Sequence, residues 1–137
     1  MSASEALQLA VINALKGNAA LSEITGGDIS QNAHGGFASP YVTLGPSSFA
    51  PESADDLEGQ EETLQIDCWS KQGGSLAETK RMVGLVTKAL HGADLEIAEP
   101  YAVSEVSVVL AQSFLDSDKK TGHGVIQVTA YVEDHAP

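Results

Sequence analysis

Thr63-Leu64-Gln65-Ile66-Asp67-Cys68-Trp69-Ser70, continuing into Lys71-Gln72-Gly73-Gly74 (TLQIDCWSKQGG, residues 63–74), alternates side-chain character until it reaches paired glycines. A period of two belongs to an extended strand, so Leu64, Ile66 and Cys68 face one way, and Thr63, Gln65, Asp67 and Trp69 the other. Gly73-Gly74 then turns the chain. Ser75 with Glu78 predicts a capping box for a helix through about Leu90. Leu76, Met82, Val83, Leu85, Val86, Ala89 and Leu90 form one apolar stripe on that helix, and Gly92 ends it. Gly84 inside it costs about 1 kcal/mol relative to alanine, which points to close packing there.

Upstream, Ala6, Leu7, Ala10, Val11, Ala14 and Leu15 recur at helical spacing over residues 3–16. Ser2 and Glu5 form a capping box at the start, and Gly17 stops the helix. Asn18 caps a further turn, residues 19–24, before Gly26-Gly27. Residues 28–39 are loop-like, with a short strand at Ile29, and a strand starts at Pro40 and runs over residues 41–45. Residues 46–62 (PSSFAPESADDLEGQEE) hold two prolines, several serines and six carboxylates, and predict a long acidic loop whose outer parts extend the flanking strands. Downstream, residues 94–98 have the pattern of a short edge strand. Residues 103–115 and 124–133 predict a long hairpin across the polar linker 116–123, with Val106, Val108, Leu110 and Phe114 on one face.

The order helix, strands, helix, strands is not the regular alternation of a parallel sheet. It predicts an α+β fold: an antiparallel sheet of about four main strands packed against two helices. Residues 1–137 form one domain with a short disordered tail at 134–137. The second sheet face carries Thr43, Gln65, Asp67, Trp69, Val109, Ala111, Gln127, Thr129 and Tyr131, a mixed set suited to water or to another subunit.

Composition narrows function mainly by exclusion. The chain has 19 acidic and 7 basic residues, a net charge of −12. Gripping a nucleic acid by its phosphates needs clustered Lys and Arg, so direct nucleic-acid binding is disfavoured, whereas a surface that DNA must pass without sticking is compatible. One cysteine excludes an internal disulfide, and no Cys/His cluster has zinc spacing. The opening lacks a signal peptide's basic and apolar regions, and no apolar run is long enough to cross a membrane, so the expected compartment is a reducing cytoplasm.

Alternation turns Cys68 into the core as an inert thiol rather than a nucleophile. Trp69 points to the polar side, where it either packs under a loop or helix or anchors an interface. His34, His91, His123 and His135 form no metal-ligand pair, and the glycine pairs match neither a phosphate-binding nor a dinucleotide-binding loop. No cofactor is implied, and no nucleophile–base pair argues for an enzyme. The carboxylates Glu52, Asp55, Asp56, Glu58, Glu61 and Glu62 lack calcium-loop order. They read as a solvated loop, or as a negative surface lining a DNA conduit or meeting a basic partner. Lys119 and Lys120 contact such groups on a neighbour or only solubilise their turn.

The order of features, from ALQLAVINALKGNAALSEITGG through PYVTLG and LQIDCWSKQGGSLAETKRMVGLVTKALHG to GHGVIQVTAYVE, resembles the tail-completion (tail terminator) proteins of long-tailed bacteriophages and phage-like gene transfer agents. The likeness spans about residues 5–133, with Pro40-Tyr41-Val42 and Trp69-Ser70 its most specific parts. It implies a structural virion protein, assembled in the host cytoplasm as a homo-oligomeric ring, commonly a hexamer, at the head-proximal end of the tail. The implied partners are the tail tube protein and the head–tail connector, with DNA passing through. The interface candidates are Trp69, Asp67, Tyr131, Lys119 and Lys120, beside the acidic set. Two alternatives stand: a head-closure protein of the same neck, and an acidic DNA mimic that inhibits a basic enzyme. Mimicry calls for spread charge, whereas here six acids crowd into residues 52–62.

Overall fold

A computed structural model describes residues 1–31, 40–53 and 56–137; His34 and Asp55 lie outside the described residues. The elements are α1 (Ala3–Lys16), α2 (Ala19–Thr25), β1 (Ile29–Ser30), β2 (Tyr41–Pro51), β3 (Glu58–Lys71), α3 (Ala77–Leu90), β4 (Tyr101–Leu115) and β5 (Thr121–Asp134). The strands form one sheet in the order β1-β2-β3-β5-β4. It is antiparallel apart from the two-residue β1, which pairs parallel with Val42 and Thr43. The α+β reading with four long strands holds, and the capped turn at 19–24 and the short strand at Ile29 are present as α2 and β1.

The core joins one sheet face to the helices. Leu7, Val11 and Leu15 of α1, Leu21 of α2, and Met82, Val86 and Leu90 of α3 meet Val42, Leu64, Ile66, Cys68, Ile126, Val128 and Val132. The Ser2–Glu5 capping box is present, and Asn18 Oδ1 accepts from Leu21 N at 2.9 Å. The predicted Ser75–Glu78 box is not. Leu76 is the N-cap of α3 and makes no side-chain cap bond. Glu78 instead accepts from the hydroxyl of Ser70 at 2.6 Å. Ser70 is fully buried at the end of β3, so its hydroxyl needs that partner more than an exposed helix end needs a cap.

The outer parts of the long acidic loop do extend the flanking strands, but much further than expected. β2 runs to Pro51 and β3 begins at Glu58, which leaves only residues 52–57 between them. The template is β5, whose Ala130–Asp134 segment pairs with Glu62–Glu58, and this backbone ladder overrides a local composition typical of loops. The prolines fit: Pro46 lies in a bulge between Leu44 and Ser47, and Pro51 ends an outer strand. Residues 94–98 are not a strand. Leu95 is buried and Ile97 half-buried between exposed neighbours, so their alternation serves a strap packed beside α1 rather than a ladder.

The face assignment of β4 holds only at its start. Bulges between Ser104 and Ser107 and between Val108 and Leu110 interrupt its register with β5. One inserted residue reverses every later side chain. Val106 is buried as expected, but Leu110 and Phe114 lie on the open face, and Ala111 pairs with inward-facing Ile126. The hairpin turn is shorter than the linker expected from composition. Asp118 accepts from Lys120 N and Thr121 N, each at 2.8 Å, and from Thr121 Oγ1 at 2.6 Å. The Thr121 hydroxyl first, then the two amides, hold its carboxyl down at about 2.

Gly122 and Gly124 decide how closely α3 docks. A Cβ on Gly122 would strike the hydroxyl of Thr79, and one on Gly124 a methyl of Val83. Gly84, by contrast, has open space around it, so the expected close packing is absent. Thermal denaturation should separate the two roles. Gly84→Ala raises stability by roughly 0.5–1 kcal/mol through helix propensity. Gly124→Ala lowers it by roughly 1–3 kcal/mol, because stiff β-branched Val83 must move. Equal effects would contradict this assignment.

Candidate functional site

The sheet face opposite the helices is the candidate site, and register builds it in bands. At one end Tyr41, Trp69, His123 and Phe114 stand opposite one another across β2, β3, β5 and β4. Their rings form a row: Tyr41–Trp69 centroids are 6.1 Å apart, Trp69–His123 3.8 Å and Phe114–His123 4.9 Å. Trp69 Nε1 donates to Thr43 Oγ1 at 3.2 Å. His123 Nε2 lies 2.7 Å from Asp67 Oδ1, and its Nδ1 lies 3.5 Å from Asp116 Oδ1. Burial first, then Asp28 and Asp116, raises the Tyr41 hydroxyl above the usual phenol range.

The middle band is polar and uncharged. Ser48, Thr63, Thr129 and Ser107 pair in sequence across the four long strands, as do Gln65 and Gln127 beside them. At the far end Glu52, Asp56, Glu58 and Glu61 are exposed at and beside the β2–β3 connection. Tyr131 ties that connection down, donating from its hydroxyl to Glu52 O at 2.6 Å. Its ring lies against Gly59, where any Cβ would collide with it. Burial and then the nearby carboxylates of Glu52, Glu133 and Glu58 push its hydroxyl up.

The predicted residues therefore separate. Trp69 and Asp67 come together, Tyr131 joins the acidic end, and Lys119 and Lys120 are exposed on the β4–β5 turn at the opposite end. Trp69 is half-buried and stacked within its row on the sheet. The Asp67 carboxylate is used within the chain, accepting from Gln65 Nε2 at 3.0 Å as well as facing His123. Glu62 leaves the acidic surface. It is 2% exposed on the helix side, where it accepts from Ser4 Oγ at 2.6 Å and Gln60 Nε2 at 3.0 Å. Asp55 lies outside the described residues.

His123, Tyr41 and Phe114 were not singled out for this site. Only register across four strands reveals their row, although His123 between two glycines was a trace of it. Cys68 is fully buried on the other face, its thiol pushed up to about 12 by burial and then by Asp67, so it is not a nucleophile at neutral pH. Among the described residues no three His, Cys, Asp or Glu side chains are grouped to hold a metal. The arrangement offers shape, stacking and charge.

An α+β fold with helices on one side of its sheet and a banded open face on the other is thus the class defined here. The model of the family described as Tail completion protein gp17 matches residues 9–133. The chain belongs to this tail-completion family. Tail completion protein gp17 of Bacillus phage SPP1 is 29% identical over 126 residues, 92% of this chain and 91% of that protein. Among solved structures, a chain in the virion of a native gene transfer agent particle superposes with a TM-score of 0.86 at 25% identity, covering 96% of this chain and 98% of that one. The structure of the bacteriophage SPP1 gp17 protein gives 0.62 at 25% identity, covering 98% and 94%.

The stacked row has a measurable signature, because Trp69 is the only tryptophan. His123→Ala shifts its fluorescence emission to the red by uncovering the ring. Trp69→Ala lowers stability by about 2–4 kcal/mol, from lost burial and stacking. Unchanged emission in the first variant would mean that His123 does not cover the indole.

Proposed function

We propose that this chain is a structural, non-enzymatic tail-completion component of a phage or a phage-like gene transfer agent particle. It assembles as a hexameric ring on the head-proximal end of the tail tube. There the ring halts polymerisation of the tube protein and presents the surface that joins the head–tail connector. The chain is made in the host cytoplasm and ends in the virion. The observation that carries this reading is the near full-length fit, on both sides, to a chain within a gene transfer agent virion.

The charge distribution supports a passage for DNA rather than a grip on it. Exposed Glu52, Asp56, Glu58 and Glu61 face the channel or the adjoining ring, where carboxylates repel phosphates over several ångströms. Lys119 and Lys120, at the other end of the strands, are placed for acidic groups on a neighbouring ring. Trp69 and Tyr131 enter the interface as parts of a stiff face, half-buried within their own subunit.

Deleting the gene tests termination directly. Tails of abnormal length are expected, whereas tails of normal length beside unjoined heads would assign the chain to head closure instead. Reversing charge at the acidic end tests the channel assignment. The triple variant Glu52→Lys, Glu58→Lys, Glu61→Lys is expected to slow DNA ejection or to block head–tail joining. Particle yield and DNA delivery equal to the parent would remove these carboxylates from the channel.

A further inference from the structure

Exposed hydrophobic side chains concentrate on the two outer long strands. Among the described residues the exposed large ones are Met1, Leu9, Phe49, Val109, Leu110 and Phe114, so four of the six lie on β2 and β4. These strands are also the least charged part of an otherwise highly charged chain. β2 carries no charged residue and β4 only Glu105. Sheet edges are ordinarily protected by charge, by a covering segment or by shortness, because their free amides pair with any suitable strand.

Part of each edge is covered within the chain. β1 pairs with β2 only at Val42 and Thr43. On β4, Val106 O accepts from Gly92 N at 2.8 Å and Val108 N donates to His91 Nδ1 at 3.1 Å, so the end of α3 closes that stretch. Among the described residues this leaves 44–51 of β2 and 109–115 of β4 without an outer strand. Both stretches lack charge, and they are similar in length. They run in opposite directions, because β2 is antiparallel to β3, β3 to β5 and β5 to β4.

We infer that the open edge of β4 (residues 109–115) pairs antiparallel with the open edge of β2 (residues 44–51) of a second copy of this chain, so that the sheet continues from subunit to subunit. The contact is heterologous, using two different patches, and such contacts close into rings when the rotation per step is right. This inference rests on the ring reading above and specifies the surface that would build it. Pro46 and Pro51 bracket the β2 side and leave Ser47, Ser48, Phe49 and Ala50 with amide donors, alternate ones pointing outward.

The two edges are offset along the strands. Gln112, the middle of the β4 stretch, pairs with Val125 of β5, whereas Ser47 and Ser48 lead through Leu64 and Thr63 to Val128 and Thr129. The offset is three to four residues, roughly 12 Å at the rise of a strand. Each copy is therefore displaced along the strands relative to the last, the stagger that tilts strands in a closed sheet. Centring the two stretches brings Phe49 of one copy, on the helix side with its partner Glu62, opposite Ala111 of the next, which shares that side with Ile126.

A cysteine pair tests this in assembled particles. The native Cys68 is fully buried and does not compete for a thiol reagent. Particles are made with the Phe49→Cys, Ala111→Cys double variant, treated with a short bismaleimide and resolved on denaturing gels, while mass spectrometry counts copies of the chain per particle. Both substitutions are at exposed positions, and each single variant serves as a control. The expected result is a ladder reaching the size of the whole ring for the double variant and no ladder for either single one. Several copies per particle with no ladder would overturn the edge pairing and leave the ring standing. Cross-linked dimers from Ala111→Cys alone would replace it with a two-fold pairing of β4 with itself. A single copy per particle would remove ring and edge pairing together.

Discussion

The approach of α3 to β5 is the contact on which the rest of the molecule depends. Gly122 and Gly124 present bare backbone to Thr79 and Val83, and no larger residue fits at either place without movement. The helix can then bury Met82, Val86 and Leu90 against the sheet. Among the described residues the hydroxyl of Thr79 has no hydrogen-bond partner, a cost of roughly 1–3 kcal/mol at this contact. Because side chains alternate along a strand, the residue between the two glycines must point the other way. His123 thus stands between Trp69 and Phe114 on the open face. One tripeptide sets both sides of the sheet.

The strands on either side of that centre follow different rules. β3 and β5 are paired on both edges and keep unbroken register over fourteen residue pairs, Glu58–Asp134 to Lys71–Thr121. β2 carries one bulge and β4 two, on strands with a partner along only one side for much of their length. Bulges re-aim side chains where the ladder is least constrained. Here they turn Leu110 and Phe114 away from the core and leave Val109 at the rim.

What could be read directly from the residues depended on how local its cause was. Alternation over 63–70 placed Leu64, Ile66 and Cys68 correctly in the core, and the Ser2–Glu5 box and Asn18 cap formed as written. These rest on neighbours within four residues. Residues 46–62 have the proline, serine and carboxylate content of a loop, and the extent of their strands depends on β5 partners of residues 58–62 some seventy positions away. Ser75 and Glu78 had the right spacing for a cap, but buried Ser70 claimed the carboxylate. Of the candidate site, Trp69, Asp67 and the acidic end were visible in outline. The Tyr41–Trp69–His123–Phe114 row was not, since four strands must be in register before it exists. Glu62 looked like one more surface acid until alternation, carried through an unsuspected strand, turned it inward.

The positions of the two sheet-end turns have an electrical consequence. Glu52, Asp56 and Glu58 gather at one end of the strands, whereas Lys71, Lys119 and Lys120, three of the seven basic residues, gather at the other. The thirteen steps from Glu58 to Lys71 separate these groups by roughly 40 Å. Even with Asp116 and Asp118 beside the lysines, Glu61, Glu133 and Asp134 at the carboxylate end leave the charge of this strongly negative chain graded along its sheet. Any charged body it approaches exerts a torque before contact, turning the lysine end toward negative potential and the carboxylate end away. Polarity of docking is thereby selected at a distance, with ionic strength setting its range.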